Sequence, residues 1–350
     1  MAAILDLTPE NAWSALWRRL REDRAGAVSL GIVAAYLFMI LFAAAGILAR
    51  GWSQEVGVPY ANPGFLGERP NLEAALRKKT ERKGVAPDLS KVDPLAPKYS
   101  EWERRTQALR TVEPERAMTL PWGGDRWGHD VLAKAIKGSQ VSIAVGVAAA
   151  LCASVIGTLL GAFAGFYGRW VNDVLEWLYN VFTSIPSILL IFSLAAVLRS
   201  GPFANWFASG IWTVVIILAV TGWTGMYRLV RAEYMKHRSR EYVLAAQAIG
   251  ASATSRMFVH ILPNVSHVIL VQLSLLVVAF IKVEVILSFL GLGVPVDMVS
   301  WGTMLSEAQT ELVIGKWWQL AAATVFMAIF LTAFSMLTDS LRDALDPKLR

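Results

Sequence analysis

Five stretches of this sequence run for more than twenty residues without a charged side chain: Ala25–Ala49, Gly138–Gly168, Trp177–Leu198, Ser200–Tyr227 and Trp317–Thr338. A sixth, Val268–Val296, is interrupted only by Lys282 and Glu284. Crossing ~30 Å of hydrocarbon takes about 20 residues of helix, and in a bilayer every backbone N–H and C=O must find its partner inside a helix or a closed barrel. Barrel strands alternate apolar and polar residues over about ten positions, a pattern these blocks lack. Small residues recur in them, as at Gly157, Gly161 and Gly165, which suits close helix packing in lipid. The sequence therefore predicts an all-α polytopic membrane protein with six transmembrane helices. Composition agrees: 55% of residues are hydrophobic and 17% charged, with a mean hydropathy of +0.47, against about a quarter charged in soluble proteins.

The basic residues predict an orientation. Lysine and arginine collect in short cytoplasmic loops. With the amino terminus inside, the cytoplasmic segments hold Arg18, Arg19, Arg21, Arg24, Arg169, Arg228, Arg231, Lys236, Arg238, Arg240, Arg256, Arg342, Lys348 and Arg350, while the opposite short loops hold only Arg199 and Lys316. The net charge of +6 is thus a topology signal, and no nucleic-acid partner is expected. The first apolar block is too long for the core of a signal peptide, so it reads as a retained span. The expected organisation is a cytoplasmic amphipathic segment at 1–24, a first span at 25–49, a long external segment at 50–137, a five-helix core at 138–340 and a cytoplasmic tail at 341–350. The external segment carries eight of the fourteen prolines and charges of both signs, which favours a folded or semi-rigid cap over a flexible tether. The single cysteine, Cys152, lies inside an apolar block and forms no disulfide within the chain.

The longest cytoplasmic segment, 228–264, contains EYVLAAQAIGASATSRMFVHILPN from Glu241 to Asn264. Tyr242, Ala245, Ala246 and Ile249 fall at i, i+3, i+4 and i+7, one face of a helix. Gly250 follows, the residue best suited to a left-handed helix stop. Ser252 is a candidate N-cap for a second short helix, expected to end before Pro263 because the residue preceding proline avoids the helical region. Two readings of this segment stand: an amphipathic helix on the lipid surface, or a surface that docks into the groove of a partner.

The segment AAQAIG…ILPN resembles the "EAA" loop of ATP-binding-cassette importer permeases, with Ala245, Ala246, Gly250, Leu262 and Pro263 matching in type and spacing. Leu244 stands where the motif has glutamate, and Glu241 lies on an adjacent ridge. Other segments resemble the oligopeptide/dipeptide permeases of the "C" type. Gly123, Asp125, Gly128, Asp130, Gly138 and Ser142 match that branch's signature before the second span, with Gly124 and His129 replacing its threonine and arginine. EVILSFLGLG, Trp301-Gly302 and LRDALDP match further on, and the length of segment 50–137 resembles the microcin C branch. The resemblance implies a type I importer permease fold in the bacterial inner membrane. It implies ATPase coupling through Glu241, Tyr242, Ala245, Ala246, Ile249, Gly250, Leu262, Pro263 and Asn264. The implied partners are a homologous second permease, two ATP-binding subunits, an external solute-binding protein, membrane lipid and a peptide substrate. No cofactor is expected in this chain.

Lys282 and Glu284 are costly within a span and normally face a bundle interior, a cavity or a partner. Spaced by two, they point to different sides of a helix, and for Glu284 pathway contact and a structural hydrogen bond both stand open. His129, His237, His260 and His267 have no metal-ligand spacing. No Gly-x-x-x-x-Gly-Lys-Ser/Thr occurs in the sequence, so no P-loop holds ATP here. An intramembrane serine protease built on Ser209-Gly210 lacks a histidine base in the fourth and sixth spans. An ion-coupled carrier remains the alternative transporter, and nickel or an opine-like solute the alternative cargo. A reporter at the Arg350 end is expected to read as cytoplasmic and one inserted at Asp88 as external; an internal signal at Asp88 would refute the six-span arrangement.

Overall fold

The computed structural model describes residues 23–68, 93–108, 116–200, 210–295 and 297–345. Most of the amphipathic segment 1–24, Asp88, Ser209 and the last five residues lie outside the described residues. The chain divides into two compact units, one formed by Met1–Arg50 with Ala133–Arg350 and the other by Gly51–Leu132.

Four helices of the larger unit are each long and apolar enough to cross a membrane: α1 (Arg24–Ala44), α3 (Val131–Tyr167), α9 (Ala253–Phe289) and α11 (Trp318–Leu345). The count reaches six when two bent pairs are each taken as one span. The first pair, α4 (Arg169–Ser184) and α5 (Ser187–Ser200), bends by 93°. The expected span Trp177–Leu198 therefore carries a sharp break at Ile185. Ile185 adopts an extended φ of −95° and ψ of 130° because Pro186 follows it and excludes the helical region. The second pair, α6 (Ile211–Gly222) and α7 (Thr224–Arg238), bends by 44° at Trp223.

A second correction concerns Pro263. No helix ends before it. After Ser252, whose hydroxyl accepts from Ser255 N as an N-cap, the chain passes through a π-helical turn at Arg256–Ile261 and continues to Phe289 as α9. Proline has no N–H to donate, and the wider i→i+5 turn lets the helix run on through it. Between α9 and α11 lies α10 (Trp301–Val313), a helix the hydropathy did not signal.

Packing in the larger unit rests on small residues. A Cβ added to Gly157, Gly161 or Gly165 would lie 2.6, 2.7 or 2.6 Å from the carbonyl oxygens of Trp223, Tyr227 and Arg231. The two backbones thus run in step, four residues at a time, at a distance only glycine permits. Helix α4 closes over the same stretch: Arg231 Nε donates to Asn172 Oδ1 at 2.6 Å, and the Phe182 ring meets Trp223 at 5.5 Å. At the other side α1 packs on α11, with the Tyr36 hydroxyl donating to Phe326 O at 2.9 Å and Asp23 capping α1 while accepting from Ser340.

In the smaller unit, β1 (Gly57–Pro63) pairs in parallel with β2 (Ala117–Leu120), joining Gly57 to Ala117 and Pro63 to Leu120. A helix, α2 (Tyr99–Ala108), lies between them in sequence. The all-α expectation thus holds for the spans, and the smaller unit adds a two-stranded sheet and a helix among its described residues. The signature residues make its turn: the buried carboxylate of Asp125 accepts from Trp127 N at 2.8 Å and His129 N at 2.9 Å, and its other oxygen meets His129 Nδ1 at 2.9 Å.

Gly161→Val is expected to lower the thermal unfolding temperature of the detergent-purified protein, since overpacking typically costs about 1–3 kcal/mol. Gly31→Ala, where nothing lies within 4 Å of the new Cβ, should leave it unchanged or slightly raised. Equal behaviour of the two variants would remove the glycine ridge as a packing determinant.

Candidate functional site: an exposed helix and a buried carboxylate

Between α7 and α9 lies α8 (Glu241–Ala248), eight residues long. It opens on an acidic residue, Glu241, which suits the positive end of the helix. It closes in a Schellman arrangement: Gly250 N donates to Gln247 O at 3.0 Å and Ala251 N to Ala246 O at 2.9 Å, with Gly250 at φ +88°, as the glycine stop predicts.

The structure divides the predicted stripe. Val243 and Ala246 turn inward, 1% and 5% exposed, and seat α8 on the π turn at the base of α9. Ala246 therefore supports the helix rather than facing outward, because so short a helix needs one side to rest on. The outward face is Glu241, Leu244, Ala245, Ala248 and Ile249, with Leu244 52% and Ile249 86% exposed. Leu244 and Ala248 were not in the predicted stripe; the signal for Leu244 was its place at the motif's glutamate position. Tyr242 sits at the edge, its hydroxyl 2.8 Å from His237 Nδ1. Burial pushes its phenol up, against the pull of Arg240, so it stays protonated at neutral pH. Leu262 is half-buried, whereas Pro263 and Asn264 are exposed beside α8, with Asn264 Nδ2 donating to His260 O at 2.7 Å. Arg256 hydrogen-bonds Gln247, tying the end of α8 to the π turn.

The two charges of α9 part company as their spacing predicts. Lys282 is exposed, and Glu284 is fully buried. Ser288 Oγ donates to Glu284 Oε1 at 2.6 Å and in turn accepts from Val294 N at 3.2 Å. The buried Ser142 on α3 and Ser300 before α10 lie near the same carboxylate, while Oε2 has no hydrogen-bond partner among the described residues. Ser142 Oγ also accepts from Trp301 N at 3.2 Å, and the indole of Trp301 donates to Ala135 O at 3.3 Å. Glu284 thus sits where α3, the end of α9 and the N-terminus of α10 meet. None of these serine partners was legible in advance. Among the described residues, no group of three or more His, Cys, Asp or Glu side chains is placed to hold a metal ion.

Residues 157–350 match the family described as binding-protein-dependent transport system inner membrane component. The chain belongs to this family. It is similar to known permeases over most of its length. It is 36% identical over 256 residues to the oligopeptide transport system permease protein OppC of Bacillus subtilis (strain 168), covering 73% of this chain and 81% of that protein. It is 37% identical to the dipeptide transport system permease protein DppC of the same organism, over 65% of this chain and 69% of the relative. It is 36% identical to the glutathione transport system permease protein GsiD of Pectobacterium atrosepticum, over 65% and 72%. The chain is a multi-pass membrane protein of the type I importer permease fold, and its family is one of transport subunits.

Glu284→Gln, which keeps an acceptor for Ser288, is expected to unfold close to the wild type. Glu284→Leu, which leaves buried hydroxyls unpaired, should cost about 1–3 kcal/mol, read as a lower unfolding temperature in detergent. A Leu variant as stable as the wild type would exclude a structural role for this carboxylate.

Proposed function

We propose that this chain is the membrane permease subunit of an ATP-binding-cassette importer that carries peptides across the bacterial inner membrane. ATP hydrolysis belongs to partner subunits docked on α8. The observation that carries the reading is the outward face of α8: Leu244, Ala245, Ala248 and Ile249 are left uncovered on a short helix that is anchored at both ends to membrane-spanning elements. A helix-in-groove partner covers such a face. The peptide class rests on the relatives, which are named for oligopeptide, dipeptide and glutathione transport.

In this reading both termini and α8 are cytoplasmic, and the unit at 51–132 is external, as the basic residues indicate. A homologous second permease completes the pore, two ATP-binding subunits sit beneath it, and a solute-binding protein delivers cargo from outside. Closure of the ATP-binding subunits draws the docking helices together and switches the spans between outward-open and inward-open states. An ion-coupled carrier would need an intramembrane carboxylate open to its pathway, and Glu284 is enclosed instead.

Two variants test the docking. Ile249→Glu places a charge on the exposed face. Gly250→Leu forces a side chain onto a backbone at φ +88° with nothing within 4 Å, so the loss is conformational, about 1 kcal/mol or more, and the outward face turns. Peptide uptake should be lost and the ATP-binding subunits should fail to co-purify, while the chain still inserts and retains the second permease. Normal uptake with normal ATPase association in both variants would sink the assignment.

A further inference from the structure

Among the described residues, nothing covers one face of helix α9. Leu275, Ala279, Lys282, Ile286 and Phe289 recur at spacings of three and four and are all exposed. Four of the five are apolar, and the fifth is an ammonium about two helical turns before the helix ends at Phe289. No ion pair or hydrogen bond reaches Lys282 among the described residues. Glu284, the nearest charge in sequence, points away and is buried. An ionisable side chain within a span is costly in hydrocarbon and almost always faces the bundle interior or a water-filled cavity, or pairs with another group. The lysine charge is compact and strongly hydrated, suited to a carboxylate met in water rather than to a fixed bidentate pair.

We propose that Lys282 lines the translocation pathway and receives the carboxylate of the peptide in transit. This rests on the peptide-importer reading. A peptide offers that chemistry in two places, its C-terminus and its acidic side chains. The apolar residues around Lys282 suit cargo that varies in side chain but always carries a terminal carboxylate, so the terminus is the group assigned.

The test uses the assembled transporter in inside-out or right-side-out membrane vesicles, with trialanine, trialanine amide, and an amidated tripeptide carrying one glutamate. For Lys282→Gln we expect uptake of trialanine to fall about tenfold relative to wild type, the size of one lost charge-assisted hydrogen bond. The uptake of trialanine amide should be the same in both proteins, and Lys282→Arg should restore most of the trialanine uptake. A selective loss for the glutamate-containing amide instead of trialanine would overturn the terminal assignment. Equal losses for all three peptides, no loss at all, or failure of the second permease to co-purify with Lys282→Gln would overturn the proposal. Wild-type vesicles that take up none of the three would refute the peptide reading itself, independently of Lys282.

Discussion

The structure depends on how closely α3 approaches the α6–α7 pair. In lipid no hydrophobic force draws two apolar helices together, and association falls to van der Waals packing and the hydrogen bonds that packing allows. Gly157, Gly161 and Gly165 remove the side chains that would hold the backbones apart, and the opposing carbonyls of Trp223, Tyr227 and Arg231 lie where Cβ atoms would be. Once that approach is made, Arg231 reaches Asn172, and the rings of Phe182 and Tyr179 close on Trp223 and Tyr227. The bend in α4–α5 is then fixed by packing on one side of Pro186 and by proline sterics at the break. The polar contacts of α4 follow from the glycine ridge rather than create it.

That order explains what was legible in the sequence. Hydropathy located the four unbroken spans and the apolar stretches of the two bent pairs because length and apolarity are local properties of the chain. Gly250 was legible because a left-handed stop depends on one residue, and the Ser252 cap because its acceptor lies three residues away. The breaks were harder. Pro186 and Pro263 look alike in sequence, yet one breaks a span and the other is carried through a π turn. The difference lies in what packs around each, which no local window contains. The hydroxyl cluster around Glu284 draws on residues 142, 288 and 300, and nothing at those separations marks them as neighbours. Helix α10 was missed for a related reason: Ser300 and Thr303 form a capping box, but Glu307 and Glu311 lower the hydropathy of the segment they head. The face of α8 was half legible. Tyr242, Ala245 and Ile249 of the expected stripe are exposed, whereas Ala246 is buried with Val243, because a short helix must rest one side on the π turn.

The polar groups of the larger unit sort by the same rule, that a buried polar atom must be paired or costs free energy. Lys134, nearly buried at the head of α3, pairs with Glu307 at 2.7 Å, and Gln319 Nε2 donates to the same oxygen at 2.9 Å and to Met304 O at 3.2 Å. These contacts join α3, α10 and α11 at one end of the bundle, as the Glu284 cluster joins α3, α9 and α10. Helix α10 is thus held at its start by the Trp301 N–H to Ser142 and in its middle by the charged Lys134–Glu307 pair, although its sequence is too polar to be held by lipid alone.

Helix α9 links the two ends of the proposed mechanism. At its base, the π turn carries α8 through Val243 and Ala246, and Arg256 secures the far end of that helix to the same turn. Near its top, Glu284 locks the helix to α3 and α10 while Lys282 faces outward. A continuous helix of 37 residues is about 55 Å long and transmits a tilt as a rigid body, so a displacement imposed on α8 does not have to pass through a chain of flexible side chains to reach the level of Lys282. The π turn is the one place in α9 where the hydrogen-bond register is not α-helical, and such turns are frequent at functional sites. In the proposed assembly, docking and pathway are therefore joined by one element, with its single irregular turn packed against α8.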